Sequence, residues 1–207
     1  MTLVDIQHFF DRLRPPLEST LLAGFVSLGP GDRVLEVGCG TGYISLVLGW
    51  KHPFSREIVG VDIDPAAVQD AEKNRRELEE IWKGYLPPIR FLRADLAEMD
   101  TSWPRFDFLV SNPPFFPAKA SRPSPSASRR AARQDKQLTP EILMAGAVRL
   151  LNPGGLLALV YPALRVHEIY TRARENAFEV IKEEIHSGVR MRNGGIRLLL
   201  MKRLVLS

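Results

Sequence analysis

Ser111-Asn112-Pro113-Pro114-Phe115 carries the most specific chemistry in the sequence. Consecutive prolines fix φ and supply no N–H, so the carbonyl of Pro113 is held rigid with no neighbouring donor. The Asn112 side-chain amide contributes a second acceptor. Two converging acceptors suit a planar –NH2. By accepting hydrogen bonds from both N–H groups they leave the nitrogen lone pair free for in-line attack on an electrophile. Phe115 then offers a flat apolar face for a stacked base, worth about 1–3 kcal/mol. If the electrophile is already activated, no strong general base is needed, and positioning and electrostatics provide most of the acceleration. An isolated Asn-Pro-Pro is also an ordinary proline-rich turn, so its place directly after a strand is what favours the chemical reading.

Glu36-Val37-Gly38-Cys39-Gly40-Thr41-Gly42 is the second constellation. Glycines between a strand and a helix let the backbone turn sharply and let a ligand approach with no Cβ in the way. Dinucleotide enzymes use similar loops, so Gly38, Gly40 and Gly42 alone say little. Glu36, just ahead of them, suits a ligand carrying a positive amine and repels a pyrophosphate. The loop also lacks the Lys-Ser/Thr pair of a triphosphate site. Asp62 then ends the next strand, where a carboxylate accepts both hydroxyls of a ribose. Asp95 follows the strand after that, placed to accept from an adenine amine. Acids at three consecutive strand ends fit an adenosyl ligand without phosphates. Asp64 reads as a helix cap, and Cys39 as a small buried loop residue rather than a nucleophile. The single cysteine and four scattered histidines have no metal-ligand spacing, so no metal is expected.

Positioning these groups requires alternating strands and helices, the pattern of a parallel α/β sheet. Strands are expected at Arg33–Val37, Glu57–Val61, Ile89–Ala94, Phe106–Ser111 and Leu156–Tyr161, with two more near Val180–Ser187 and Ile196–Leu204. Helices are expected after Gly42 through Leu48, over Pro65–Trp82 with Asp64 as N-cap, over Thr139–Leu151, and from about Leu164 to Ala177. Asn152-Pro153-Gly154-Gly155 reads as a break between helix and strand. Asn193-Gly194-Gly195 reads as the turn of a closing hairpin. The expectation is a Rossmann-like seven-stranded sheet with helices on both faces and a C-terminal antiparallel hairpin. One domain spans 1–207, with a helical extension over 1–30 and a basic loop over 113–137.

The chain of 207 residues suits one well-buried domain, and its 45% apolar content argues against disorder. No apolar run approaches the roughly 20 residues that span a bilayer. Met1–Asp11 lacks the basic start and apolar stretch of a signal peptide, so no membrane and a cytoplasmic location are expected. Formal charge is only +4, but it is unevenly placed. Lys119, Arg122, Arg129, Arg130, Arg133 and Lys136 share a stretch with one acid, Asp135. A second basic group is Arg190, Arg192, Arg197, Lys202 and Arg203. A charge run is commonly a solvated surface, yet two in one small domain point to a polyanionic partner.

At Glu36–Gly42, Asp62 and Asp95 the chain resembles the class I S-adenosylmethionine-dependent methyltransferases from about Leu17 to its C-terminus. The resemblance implies that Glu36 and Gly38–Gly42 hold the methionyl part, Asp62 the ribose, and Asp95 with Leu96 the adenine. Enzymes with Asn-Pro-Pro-Phe or Asn-Pro-Pro-Tyr methylate adenine N6, guanine N2, cytosine N4 or a glutamine side chain. Further features narrow this: the extension Phe116-Pro117, the arginine-rich loop ending in Ala131-Ala132-Arg133, and Leu21-Leu22-Ala23-Gly24-Phe25 before the first strand. Together they resemble the bacterial tRNA adenine-N6 methyltransferases that act at position 37 of a valine tRNA. Glu18 stands where that family has aspartate, and the loop is richer in Ser, Pro and Ala. The resemblance implies S-adenosylmethionine as cofactor and tRNA as partner. Asn112, Pro113, Pro114 and Phe115 would be catalytic, with Lys119, Arg122, Arg129, Arg130 and Arg133 on RNA phosphates. The alternatives are guanine-N2 methylation of ribosomal RNA, which usually comes with tandem domains, and glutamine methylation of protein, which usually comes with an N-terminal helical domain. DNA methylation usually needs a recognition insert. A non-catalytic RNA-binding relative commonly loses one of the two motifs intact here.

Overall fold

A computed structural model describes residues 3–113, 138–187 and 194–205. Pro114, Phe115, Lys119, Arg122, Arg129, Arg130 and Arg133, with most of the basic loop expected over 113–137, lie outside the described residues. So do Arg190 and Arg192.

In chain order the elements are α1 (Leu3–Arg12), α2 (Leu17–Phe25), β1 (Arg33–Val37), α3 (Tyr43–Lys51), β2 (Glu57–Asp62), α4 (Pro65–Ile81), β3 (Ile89–Arg93), β4 (Phe106–Ser111), α5 (Pro140–Leu150), β5 (Leu151–Pro162), a 3-10 turn at Ala163–Arg165, α6 (Val166–Glu175), β6 (Phe178–His186) and β7 (Ile196–Arg203). The seven strands form one sheet in the order β3-β2-β1-β4-β5-β7-β6. The first five are parallel, and β7 is antiparallel to both β5 and β6. The expected fold is therefore the observed one.

Side-chain alternation along the central strands divides the core in two. Val34, Ile58, Phe108, Val110, Ala158 and Val160 face α1 to α4. Leu35, Val37, Val59, Leu109, Leu157 and Leu159 face α5 and α6. A strand buried on both faces reads as a continuous apolar run, which is why β1 and β4 stand out so clearly in the sequence. On the first face, Phe10 of α1 sets its ring edge against Tyr43 and tilts toward Trp50, with centroids 5.9 and 5.7 Å away.

The local signals at helix starts hold. Asp64 caps α4 by accepting from the Ala66 N–H at 3.0 Å, with Pro65 in the first turn. Thr139 caps α5 rather than beginning it, accepting from Ile142. One reading needs correction. Asn152-Pro153-Gly154-Gly155 does not separate helix from strand: β5 begins at Leu151 and contains it. The ladder to β4 skips from Phe106↔Leu151 to Phe108↔Leu156, and the four residues bulge in between. Gly154 takes φ +80, and a Cβ on Gly155 would lie 2.9 Å from the Asn152 carbonyl oxygen. The closing hairpin is as expected: β6 and β7 are antiparallel, His186 pairs with Ile196, and Gly194 and Gly195 both take positive φ.

The strand order reverses between β1 and β4. The chain leaves β1 toward the face that carries α3, and the next described helix after β4, α5, packs on the opposite face. Open α/β sheets bind ligands in the crevice at the carboxyl ends of strands at such a reversal. Val37 and Ser111 are register partners, so the glycine loop and Asn112 leave the sheet side by side.

Candidate active site

Glu36 lies on β1, one residue short of the crevice, and is 2% exposed. Its Oε2 accepts from both the backbone N–H and the hydroxyl of Ser45 in the first turn of α3, the former at 2.9 Å. Burial pushes its carboxyl up to about 8. The Ser45 hydrogen bonds pull the other way, and nearby Asp62 adds a smaller upward push. This acid fastens the helix that follows the glycine loop, and it also favours a cation arriving above it.

Gly38, Gly40 and Gly42 all take positive φ, at 75, 53 and 80°. Their surroundings differ. A Cβ on Gly38 or Gly40 would meet nothing within 4 Å, whereas one on Gly42 would lie 2.6 Å from Phe91 Cζ and 3.0 Å from Ala71 Cβ. Gly42 thus serves close packing over β3, and the first two leave open backbone facing the crevice. The N–H groups of Gly38 and Cys39 donate to the Val61 carbonyl, and Asn74 of α4 donates its amide to the Thr41 carbonyl at 2.9 Å. Burial, with Glu36 and Asp62 close by, pushes the Cys39 thiol up, which keeps it from acting as a thiolate nucleophile.

Asp62 ends β2 and binds two backbone N–H groups. Its Oδ2 accepts from Gly40 at 3.0 Å and its Oδ1 from Asp64 at 2.9 Å. Each carboxylate oxygen keeps further acceptor capacity. Asp95 sits just past β3 in a turn of its own, its Oδ1 accepting from the Ala97 N–H at 3.0 Å. Leu96 points inward: it is 3% exposed, and its Cγ lies where a Cβ on Gly146 of α5 would stand, 2.6 Å away. What Leu96 can offer a ligand is therefore its main chain.

Asn112 emerges from β4 beside this loop. Ser111 before it is fully buried, and its hydroxyl donates to the Val37 carbonyl at 2.9 Å, binding the two strand ends together. Asn112 Nδ2 donates to the Ser19 hydroxyl oxygen of α2 at 2.9 Å. Pro113 follows and is buried. The sheet thus brings Glu36, Gly38, Gly40, Gly42, Asp62, Asp95, Asn112 and Pro113 to one carboxyl edge.

Three supporting residues escape the sequence reading. Ser45 and Ser19 each sit on a helix and bond a candidate site residue, Glu36 and Asn112 respectively, and nothing in the local sequence marks them. Arg149 of α5 donates to the carbonyls of Met99 and of Leu96, the latter at 2.7 Å, clamping the loop after β3. Of the second basic group, Arg197, Lys202 and Arg203 are described, and they do not form one patch. Arg197 pairs with Glu183, Arg203 donates to the Leu151 carbonyl, and Arg197 and Lys202 lie about 17 Å apart along β7. Among the described residues, no group of three or more His, Cys, Asp or Glu is disposed to hold a metal, and no helix is long and apolar enough to cross a membrane.

A family model for the methyltransferase domain matches residues 28–195. Among curated proteins, the chain is 33% identical over 145 residues to a tRNA1(Val) (adenine(37)-N6)-methyltransferase of Tolumonas auensis, covering 70% of this chain and 57% of that one. It is 32% identical over 169 residues to the protein of that name from Porphyromonas gingivalis, covering 80% and 65%. The chain therefore spans roughly three-fifths of the length of these relatives. The fold is shared with TrmN from Thermus thermophilus at TM-score 0.63 and 24% identity, over 90% of this chain and 48% of that one.

Proposed function

The chain belongs to the methyltransferase-domain family, and from that premise we propose that it transfers a methyl group from S-adenosylmethionine to adenine N6 in a tRNA. The observation that carries this reading is the pairing of the β1 and β4 ends, from which an open glycine loop and the Asn112 amide leave side by side.

The residues present fit the cofactor. Gly38 and Gly40 leave room that any side chain would fill, and Glu36 beneath them is a buried carboxylate suited to a cation. Gly38–Gly42 and Glu36 hold the methionyl part, Asp62 the ribose, and Asp95 with the Leu96 main chain the adenine. The bound cofactor supplies a methyl group on a sulfonium. The Asn112 side-chain oxygen and the Pro113 carbonyl accept the two protons of the target amine and aim its lone pair at that carbon. Phe115 stacks on the target base, and Pro114 keeps the Pro113 carbonyl fixed. The amine proton leaves to solvent after transfer, so no side chain has to act as a strong base.

Lys119, Arg122, Arg129, Arg130 and Arg133 engage RNA phosphates in this reading, supported by their clustering within one stretch beside the catalytic motif. The names of the two relatives favour a valine tRNA and adenine 37 as target. A cytoplasmic location follows from such a substrate.

The test is Asn112→Ala. Single-turnover methyl transfer to an unmodified valine tRNA transcript is expected to fall by at least about 100-fold, with the S-adenosylmethionine Kd within about twofold of the parent. A parallel loss of cofactor binding, or retained transfer, would contradict the assigned role.

A further inference from the structure

We propose that Ser19 is a positioning residue that fixes the orientation of the Asn112 amide, so that its oxygen rather than its nitrogen faces the target amine. The inference rests on the reading of Asn112 as the amine's acceptor.

The requirement comes from the amide itself. An asparagine side chain has one acceptor end and one donor end, nearly equal in shape. Turned one way it accepts a proton from an incoming –NH2; turned the other way it presents N–H groups to an amine that needs acceptors. The backbone does not decide between these. Ser111 is anchored to Val37, and the residue before a proline is confined to extended conformations, so the Asn112 Cα is held firmly. Neither constraint reaches the torsion that exchanges oxygen and nitrogen.

Ser19 does reach it. Its hydroxyl oxygen lies 2.9 Å from Asn112 Nδ2 and occupies the donor end of the amide. Ser19 lies in the first turn of α2, and its hydroxyl oxygen accepts from the Asn112 amide. Ser19 is only 8% exposed, so water competes poorly for the contact. Its place on the helix is informative as well. Ser19, Leu22 and Ala23 lie on one buried face of α2, and Ser19 is the polar member, at the end nearest the carboxyl edge of the sheet. An alanine would satisfy burial there equally well.

The test uses the full chain and three single variants, with methyl-labelled S-adenosylmethionine and an unmodified valine tRNA transcript. Ser19→Ala is expected to lower kcat by roughly 10- to 100-fold, with the cofactor Kd and RNA KM within about threefold and the melting temperature close to the parent. Ser19→Thr keeps the oxygen and is expected to recover most of kcat. A readout independent of turnover comes from heteronuclear NMR. The Asn112 side-chain NH2 signals should exchange faster with water in Ser19→Ala and be protected in Ser19→Thr. If Ser19→Ala leaves kcat within twofold, or if Ala and Thr lower kcat equally together with stability, Ser19 is a packing residue and the proposal is overturned. Asn112→Ala separates the two levels of the argument. Retained turnover there defeats the reading of Asn112 itself, whereas lost turnover with an active Ser19→Ala defeats only the role of Ser19.

Discussion

On the proposed reading, Glu36 couples cofactor binding to protonation. Burial holds its carboxyl near 8, against about 4.5 for an ordinary glutamate. A carboxyl raised on folding supports stability most fully below its unfolded value and loses that contribution as pH rises through its folded value. Stability linked to Glu36 therefore declines between about pH 4.5 and pH 8. Glu36→Gln removes the titration, so it is expected to melt higher than the parent above pH 8 and to weaken S-adenosylmethionine binding at least tenfold. Calorimetric melts across this range, with titration of the cofactor, check both effects. An unchanged pH profile would show that Glu36 does not titrate as described. The same linkage predicts that the parent binds cofactor more tightly as pH rises toward 8, releasing a proton. Glu36, Asp62 and Asp95 are legible in the sequence because each follows an apolar run at a fixed place relative to a turn. Ser19, Ser45 and Arg149 are not, because their partners lie 93, 9 and about 50 residues away on other elements. Only the folded sheet brings them together.

Among the elements, the glycine loop and α5 carry the sharpest consequences. Gly42 faces Phe91 of β3 at a distance no real Cβ tolerates, and does so at positive φ. Gly42→Ala is expected to destabilise the fold by about 2 kcal/mol or more, through strain and displacement of Phe91. Gly40→Ala meets open space and suffers mainly the backbone strain, so its larger effect should be on cofactor affinity. Denaturant melts with cofactor titrations distinguish the two; equal destabilisation would contradict the different roles. Arg149→Met releases the loop after β3, and we expect the cofactor Kd to rise about 10-fold with kcat within about twofold, by analogy with residues that orient a ligand-bearing loop. Element identities are readable because apolar runs, caps and glycines coincide. The bulge at Asn152–Gly155 is not, because strand continuation across a Pro-Gly-Gly depends on pairing with β4, and Asn152 donating to Asp107 at 2.7 Å is a tertiary contact.

At the scale of the whole molecule, the sheet reversal between β1 and β4 sets the glycine loop beside Asn112, the two groups proposed to hold the cofactor and the target amine. The basic stretch follows Asn112-Pro113 in sequence, between β4 and α5. Replacing Arg129, Arg130 and Arg133 together by Ala is expected to raise the RNA KM about 10-fold or more at low salt and to flatten its salt dependence, leaving cofactor binding unchanged. If neither parameter moves, the stretch does not bind RNA. The most direct test of the central claim is to incubate the protein with methyl-labelled S-adenosylmethionine and unmodified bulk RNA, digest to nucleosides and identify the labelled one by mass spectrometry. The proposed reading predicts label in N6-methyladenosine from the tRNA fraction. Label in N2-methylguanosine, or in no nucleoside at all, would contradict it.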